Sequence, residues 1–451
     1  MTRGDITREG LKVAIGFPSA VMLVIGGMVG VGVFVNPAVV ARGLHSPETA
    51  LAAWSAGGVI ALLGAFVYAE LAARMPTTGG EYVYLRDTYG PMTGFLFGWT
   101  TLLVVHTGGM AAVTIVFAKN LNVLLGGGIS EPVVVVAVLA ALAGVNCGGV
   151  ILGNGVQSGL GALKVAAIAA LILAGLVFAP HAAPAASIAG GAPASTDLFK
   201  TFGAAMIPVV FSYGGWQTSN YIAGEIRDAD RHLARALVVG VLAVIALYLL
   251  VNIACLRVLG IADLGRTLTP VSDVLQRVVG PVGAKLAAAA IALSAIAFVS
   301  QSMLTGPRVV FAMARDGLFF RRVGGVDETS RAPRVAIILQ AVWTGVLALS
   351  GSYEQILSYV IAMNFLFFGL SASCLFVLRR REGSAGGATG GFRAPWHPWT
   401  TGAFIAACAI VVGASLWVYP VNSLIGYAIL LLGVPPYLYW SLKSRKASGA
   451  S

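Results

Sequence analysis

"GGMVGVGVF", residues 26–34, decides how this chain folds. The stretch lies inside a long apolar run and carries four glycines. An interior glycine costs a helix roughly 1 kcal/mol relative to alanine. A hydrophobic helix weakened at its midpoint is one built to break there, and the freed backbone becomes available to a ligand. Gly26 and Gly30 also form a GxxxG, a spacing that marks close helix packing, so this motif alone carries two readings.

The surroundings define the class. Of 451 residues, 58% are hydrophobic and only 10% charged, far from soluble usage. Apolar stretches of about 20 residues, the length that crosses a bilayer, recur from end to end. The chain reads as an all-α polytopic membrane protein. The opening "MTRGDITREGLK" is polar, without the apolar core of a signal peptide, so the first apolar run is expected to be retained. Cys147, Cys255, Cys374 and Cys408 all fall in apolar segments, which argues against disulfides and metal clusters.

Twelve spans are expected, near 14–40, 49–74, 92–118, 132–152, 156–179, 199–223, 234–256, 284–313, 334–350, 355–379, 399–418 and 422–441. The net charge of +11 does not form a nucleic-acid face, because the basic residues alternate between loops. With the N-terminus inside, only Arg42, Lys119, Lys200, Arg257, Arg266, Arg277 and Lys285 lie outside, and Lys164 lies within a span. That bias puts both termini in the cytoplasm. The divisions are 1–13, a cytoplasmic N-terminus; 14–179, a first five-helix block; 180–198, an external loop; and 199–381, a second block. A cytoplasmic loop at 382–398, two peripheral helices at 399–441 and a cytoplasmic tail at 442–451 complete the chain.

The second block opens with its own interruption, "FSYGGW", Phe211 to Trp216. Five spans per block make the blocks antiparallel, and paired broken helices at matching places point to the midplane site of an inverted-repeat transporter. Broken backbone at membrane depth must line protein or water. The half-helix starting after Gly30 presents unpaired N–H groups suited to a carboxylate. Carbonyls around Ile25–Gly26 and Phe211–Tyr213 suit an ammonium. Together they describe a site for an α-amino acid.

Beyond the breaks, four stretches resemble the amino acid–polyamine–organocation superfamily: "MVGVGVFVNP" (28–37), "YAELAARMPTTGGEYVYLRDTYG" (68–90), "FSYGGWQTSNYIAGEIRDADRHLARAL" (211–237) and "GPRVVFAMARDGLF" (306–319). The sodium-independent L-type exchanger branch is the most similar, over about residues 14–380. The resemblance implies a leucine-transporter-like fold of five-plus-five inverted repeats with two further helices. It implies that Gly30, Val31 and Gly32 hold the carboxylate. Phe211, Ser212 and Gly214 would hold the amine, with Phe211 also an outer gate. Three departures stand out. Val31 replaces the hydroxyl residue often found between the glycines. "SAIAFVSQSMLTG" (294–306) is bulkier at Phe298 than the family's small-residue patch. The loop "KNLNVLLGGGISEP" lacks the cysteine that ties animal members to a glycoprotein, so no disulfide-linked partner is expected.

Lys164 lies deep in "GLGALKVAAIAALILAGLVF" (159–178). An intramembrane lysine costs about 2.5–3.5 kcal/mol on insertion scales and is a functional hypothesis by default. The alternative is a stem that snorkels to the interface. The resemblance implies a fixed substitute for a sodium ion, hence exchange without an ion; a titrating Lys164 would instead give proton symport. His106, in "LLVVHTGGMAAV", is a second coupling candidate as a proton relay, against a merely packed histidine. Trp216 and Gln217 are candidates for the side-chain pocket, and Glu225 for an inner gate alongside Glu70, Glu81, Arg227, Arg315 and Asp316.

The absence of acidic residues at mid-membrane depth in the first, third, sixth, eighth and tenth spans favours a neutral amino acid. A channel would show a ring of like groups. An enzyme would show a catalytic constellation, and neither an HExxH nor a GxSxG is present. No cofactor or metal is implied. The expectation is secondary-active, sodium-independent exchange of neutral L-amino acids by alternating access, with proton symport as the alternative.

Overall fold

A computed structural model describes residues 6–178 except 8, then 195–350, 353–385, 391–418 and 420–448. The larger part of the expected external loop falls outside these. In chain order the helices begin with α1 (Phe17–Met28), α2 (Gly32–Leu44), α3 (Pro47–Arg74), α4 (Glu81–Tyr89), α5 (Pro91–Thr100), α6 (His106–Leu124), α7 (Glu131–Cys147) and α8 (Val150–Leu173). Then come α9 (Ser195–Ser212), α10 (Ala229–Arg266), α11 (Pro270–Val279), α12 (Val282–Thr305), α13 (Pro307–Arg315), α14 (Arg334–Ser350) and α15 (Tyr353–Ala385). The chain closes with α16 (Trp399–Val418), α17 (Pro420–Leu431) and α18 (Val434–Ser448).

Eight helical stretches are long and apolar enough to cross a bilayer among the described residues, and α1 with α2 forms a ninth, bent by 44°. α7 and α14 are shorter apolar helices. Helix starts follow the sequence closely. Pro18, Pro47, Pro91 and Pro270 occupy first-turn positions, where a missing N–H costs nothing. Ser46 caps α3 by accepting from the Thr49 N–H at 3.4 Å.

α3 packs along α10, α12 along α6, and α1 against α10, α8 and α12. The two interrupted elements, α1–α2 and α9 with the 3₁₀ segment Trp216–Glu225, lie together at the centre. A π-helical turn, Thr101–Val105, joins α5 to α6 and is held by the Thr107 hydroxyl donating to the Leu102 carbonyl at 2.6 Å. Such turns shift the register of a helix face and recur at functional sites. Here the turn ends at His106.

The segment before α1 runs beside the chain that follows the 3₁₀ segment. The Ala14 and Ile15 N–H groups both donate to the Glu225 carbonyl at 3.0 Å, and the Arg227 N–H donates to Ile15 O at 2.9 Å. Below them Glu225 and Arg308 form a bidentate ion pair, 2.8 and 3.1 Å, with both side chains at most 1% exposed.

Candidate functional site

The first break spans Val29 to Val31, between α1 and α2. Its orphaned carbonyls are met by side chains from three helices, as buried backbone requires. Lys164 Nζ, from α8, donates to Val29 O at 2.5 Å and to Gly26 O at 3.1 Å. The Ser294 hydroxyl, from α12, reaches Gly30 O at 3.0 Å and Val29 O at 3.3 Å. The Tyr248 hydroxyl, from α10, donates to Met28 O at 2.9 Å and to Ser212 O at 3.0 Å, so one side chain ties both breaks. The N–H groups of Val31, Gly32 and Val33, at the start of α2, have no partner among the described residues. They are the ready anion site that a helix N-terminus offers.

The second break spans Tyr213 to Gly215. Gly215 has φ of +103°, where a side chain is strained, and a Cβ there would lie 2.0 Å from Gly27 O. The reverse substitution at Gly27 would meet Gly215 O at 2.5 Å. The two breaks therefore touch backbone to backbone, and only glycine permits it. Gly32 and Ser212 make a second close approach, 2.8 Å from a built Cβ to the hydroxyl oxygen.

Between the breaks lies a cavity of about 100 Å³. A water needs only ~10–15 Å³ by this kind of measure, so the space admits a ligand of several heavy atoms. Gly30, Val31, Gly32, Phe211, Ser212, Gly214, Gln217 and His106 all line it. Among the described residues no Asp or Glu lines it. The other expected site residues sit elsewhere. Ile25 O accepts the Val29 N–H at 2.9 Å and Gly26 O accepts from Lys164, and neither residue is among those that line the cavity. Tyr213 and Trp216 point behind the break into a small space shared with Gly57, Phe368 and Phe404. There Trp216 meets Tyr68 edge-on at 4.8 Å, an aromatic packing role. Ser212 lines the cavity with a hydroxyl that already donates to Pro208 O at 2.8 Å and accepts from Asn36 at 2.7 Å. Lys164, fully buried, lies behind the first break, and Glu225 lies in the buried ion pair with Arg308.

The cavity wall also holds residues that the sequence reading passed over: Thr218, Tyr221, Gln301, Ser302 and Asn364. Gln301 donates to the Thr218 hydroxyl at 2.8 Å, joining α12 to the second break. A signal existed for part of this set. Ser294, Phe298, Gln301 and Ser302 recur at helical spacing on one face of α12. Tyr248 carries no such signal, since it sits in an unbroken apolar run.

Next to the cavity, at the start of α4, the buried Glu81 carboxylate accepts from the Tyr68 hydroxyl at 2.6 Å, the Tyr221 hydroxyl at 3.0 Å and the Ser371 hydroxyl at 3.4 Å. Burial pushes this carboxyl up to about 7, against the lowering effect of those donors.

Known proteins share these features. The family model for amino acid permeases matches residues 15–441. The serine/threonine exchanger SteT of Bacillus subtilis is 32% identical over 448 residues, covering 98% of this chain and 99% of that one. The human b(0,+)-type amino acid transporter 1 is 28% identical, covering 82% of this chain and 76% of its own. The human large neutral amino acids transporter small subunit 2 is also 28% identical, covering 96% and 82%. With broken helices around a ligand-sized cavity and a family match over nearly its whole length, this chain belongs to the amino acid permease family: it is a multi-pass membrane transporter of amino acids.

Proposed function

We propose that the protein exchanges small neutral L-amino acids across the membrane by alternating access, without sodium. The observation that carries this reading is the Lys164 ammonium seated on Gly26 O and Val29 O. Carbonyls at a helix break, with the Ser294 hydroxyl beside them, form the oxygen cluster a coupling cation would otherwise occupy. A tethered cation there leaves no need for a free one. The substrate carboxylate lies against the free N–H groups of Val31 and Gly32, and its amine against the carbonyls of the Phe211–Gly214 turn. The absence of acidic lining supports a neutral side chain, and the cavity's size supports a small one. SteT, a serine/threonine exchanger by name, accords with both. Phe211 serves as the outer gate and the Glu225–Arg308 pair as part of the inner one. No disulfide-linked ancillary glycoprotein is required.

Proton symport is the second reading, favoured by one observation: Tyr221 joins the cavity wall to the buried Glu81 carboxyl. Reconstitution separates the two. Proteoliposomes loaded with unlabelled serine, alanine or threonine should take up the labelled amino acid, and empty vesicles should not. Indifference to imposed sodium and pH gradients completes the expected pattern. Uptake into empty vesicles driven by an inward proton gradient would replace exchange with symport.

A further inference from the structure

His106 has one edge held and one edge open. Its Nε2 lies 3.0 Å from Ser302 O, a carbonyl that can only accept, so Nε2 carries the hydrogen. The Gln340 amide donates to the same carbonyl at 3.0 Å, and the His106 ring meets Tyr221 edge-on at 6.0 Å. The Nε2–Cδ2 edge is pressed against α12: a Cβ built at Gly306 would come within 2.2–2.4 Å of it. The ring is therefore fixed in orientation and tautomer. The opposite edge carries Nδ1, which has no protein partner among the described residues and is not among the sealed, unsatisfied atoms. The residue itself lines the cavity. One turn further along α6, Gly109 lines the same wall, and a Cβ there would meet nothing within 4 Å. The cavity wall beside His106 is open at Gly109.

We infer that His106 is a specificity-determining residue whose Nδ1 accepts a hydrogen bond from the side-chain hydroxyl of the substrate, making small hydroxy-amino acids the preferred cargo over their apolar isosteres. The inference rests on the transport reading above and deepens it. Both cavity-lining glutamines have their acceptor oxygens engaged: Gln217 Oε1 accepts from the Gly215 N–H at 3.0 Å, and Gln301 Oε1 accepts from the Ser302 hydroxyl at 3.4 Å. A neutral imidazole nitrogen locked in place is a strong acceptor, and an alkyl group in the hydroxyl's position leaves it desolvated and unpaired. Sites built to bond a hydroxyl reject the analogue lacking it for that reason.

The test uses isosteric pairs in proteoliposomes of the full chain: serine against 2-aminobutyrate, and threonine against valine, at pH 7.5. The wild-type protein should prefer the hydroxyl member of each pair by at least about tenfold. His106→Leu should bring both ratios to within about twofold of one while 2-aminobutyrate is still carried. His106→Asn, which keeps an acceptor, should retain part of the preference. Gln340→Leu, which loosens the shared anchor, should lower the ratios without abolishing uptake of either member. If His106→Leu does not fold, the Gln340→Leu and His106→Asn ratios decide. Wild-type ratios near one, or variant ratios equal to the wild type's, would overturn the inference while leaving amino acid transport intact. A wild-type protein that carries none of the four would overturn the functional reading itself.

Discussion

Lys164 Nζ lies 2.5 Å from Val29 O, and this bond joins the eighth helix to the break in the first transmembrane element. The side chain is fully buried, and its Nζ is met by the backbone carbonyls of Gly26 and Val29. Lys164→Ala strips Gly26 O of its side-chain donor and leaves Val29 O with Ser294 alone. Exchange is expected to fall at least about tenfold, with a loss of stability of roughly 1–3 kcal/mol from the unpaired carbonyls. Uptake in proteoliposomes and melting in detergent measure the two effects separately. Exchange at the wild-type rate in this variant would end the tethered-cation argument.

Gly215 and Gly30 should respond differently to the same methyl group. Gly215→Ala places a Cβ 2.0 Å from Gly27 O at a φ of +103°, and it should fail to fold or lose more than about 2 kcal/mol. Gly30→Ala meets only Phe298, at 3.6 Å, an ordinary contact, and should fold normally. Its cost should appear in substrate affinity, because the added carbon intrudes on the cavity. A bulkier Gly30→Val should abolish binding. Size-exclusion profiles and scintillation-proximity binding of labelled serine compare all three.

Glu225 and Arg308 form a buried pair, and breaking one side strands the other. Glu225→Ala or Arg308→Ala should each cost about 3–5 kcal/mol. The double substitution Glu225→Ala with Arg308→Ala, which strands no charge, should cost less than the sum of the two single losses. A double-mutant cycle on melting temperature gives the coupling. A double variant whose loss equals the sum of the singles would mean that the pair's charges do not interact energetically.

Glu81 gives the protein a pH dependence of defined sign. Its carboxyl, raised by burial from the ordinary value of 4.5 to about 7, holds its proton in the folded state where the unfolded chain has released it. The folded protein thus binds more protons between about 4.5 and 7, and stability falls as pH rises through that window. Melting temperature should decline from pH 5 to pH 7.5. Glu81→Gln, which keeps an acceptor for Tyr68 and Tyr221, should flatten the slope. An unchanged slope in that variant would assign the dependence to another group.

Much of the site was legible along the chain because glycine announces itself. Four glycines inside an apolar run, matched by a second glycine interruption at Gly214 and Gly215, point to a pair of breaks, and Gly30, Val31 and Gly32 line the cavity. The helices follow from apolar length and from proline at first turns, both local properties. The neutral lining follows from the absence of acids at mid-membrane positions. The partners of the break were a different matter. Ser294, Tyr248 and Lys164 converge on carbonyls more than a hundred residues away, and no local pattern encodes which oxygen each will meet. Trp216 and Gln217 are adjacent in sequence, yet one packs behind the break and the other faces the cavity, because the 3₁₀ turn sends neighbouring side chains to different sides. His106 shows the same division. That a histidine sits mid-helix is written in the chain. That its Nε2 is anchored and its Nδ1 left open was decided by a carbonyl on α12, and only tertiary packing brings the two together.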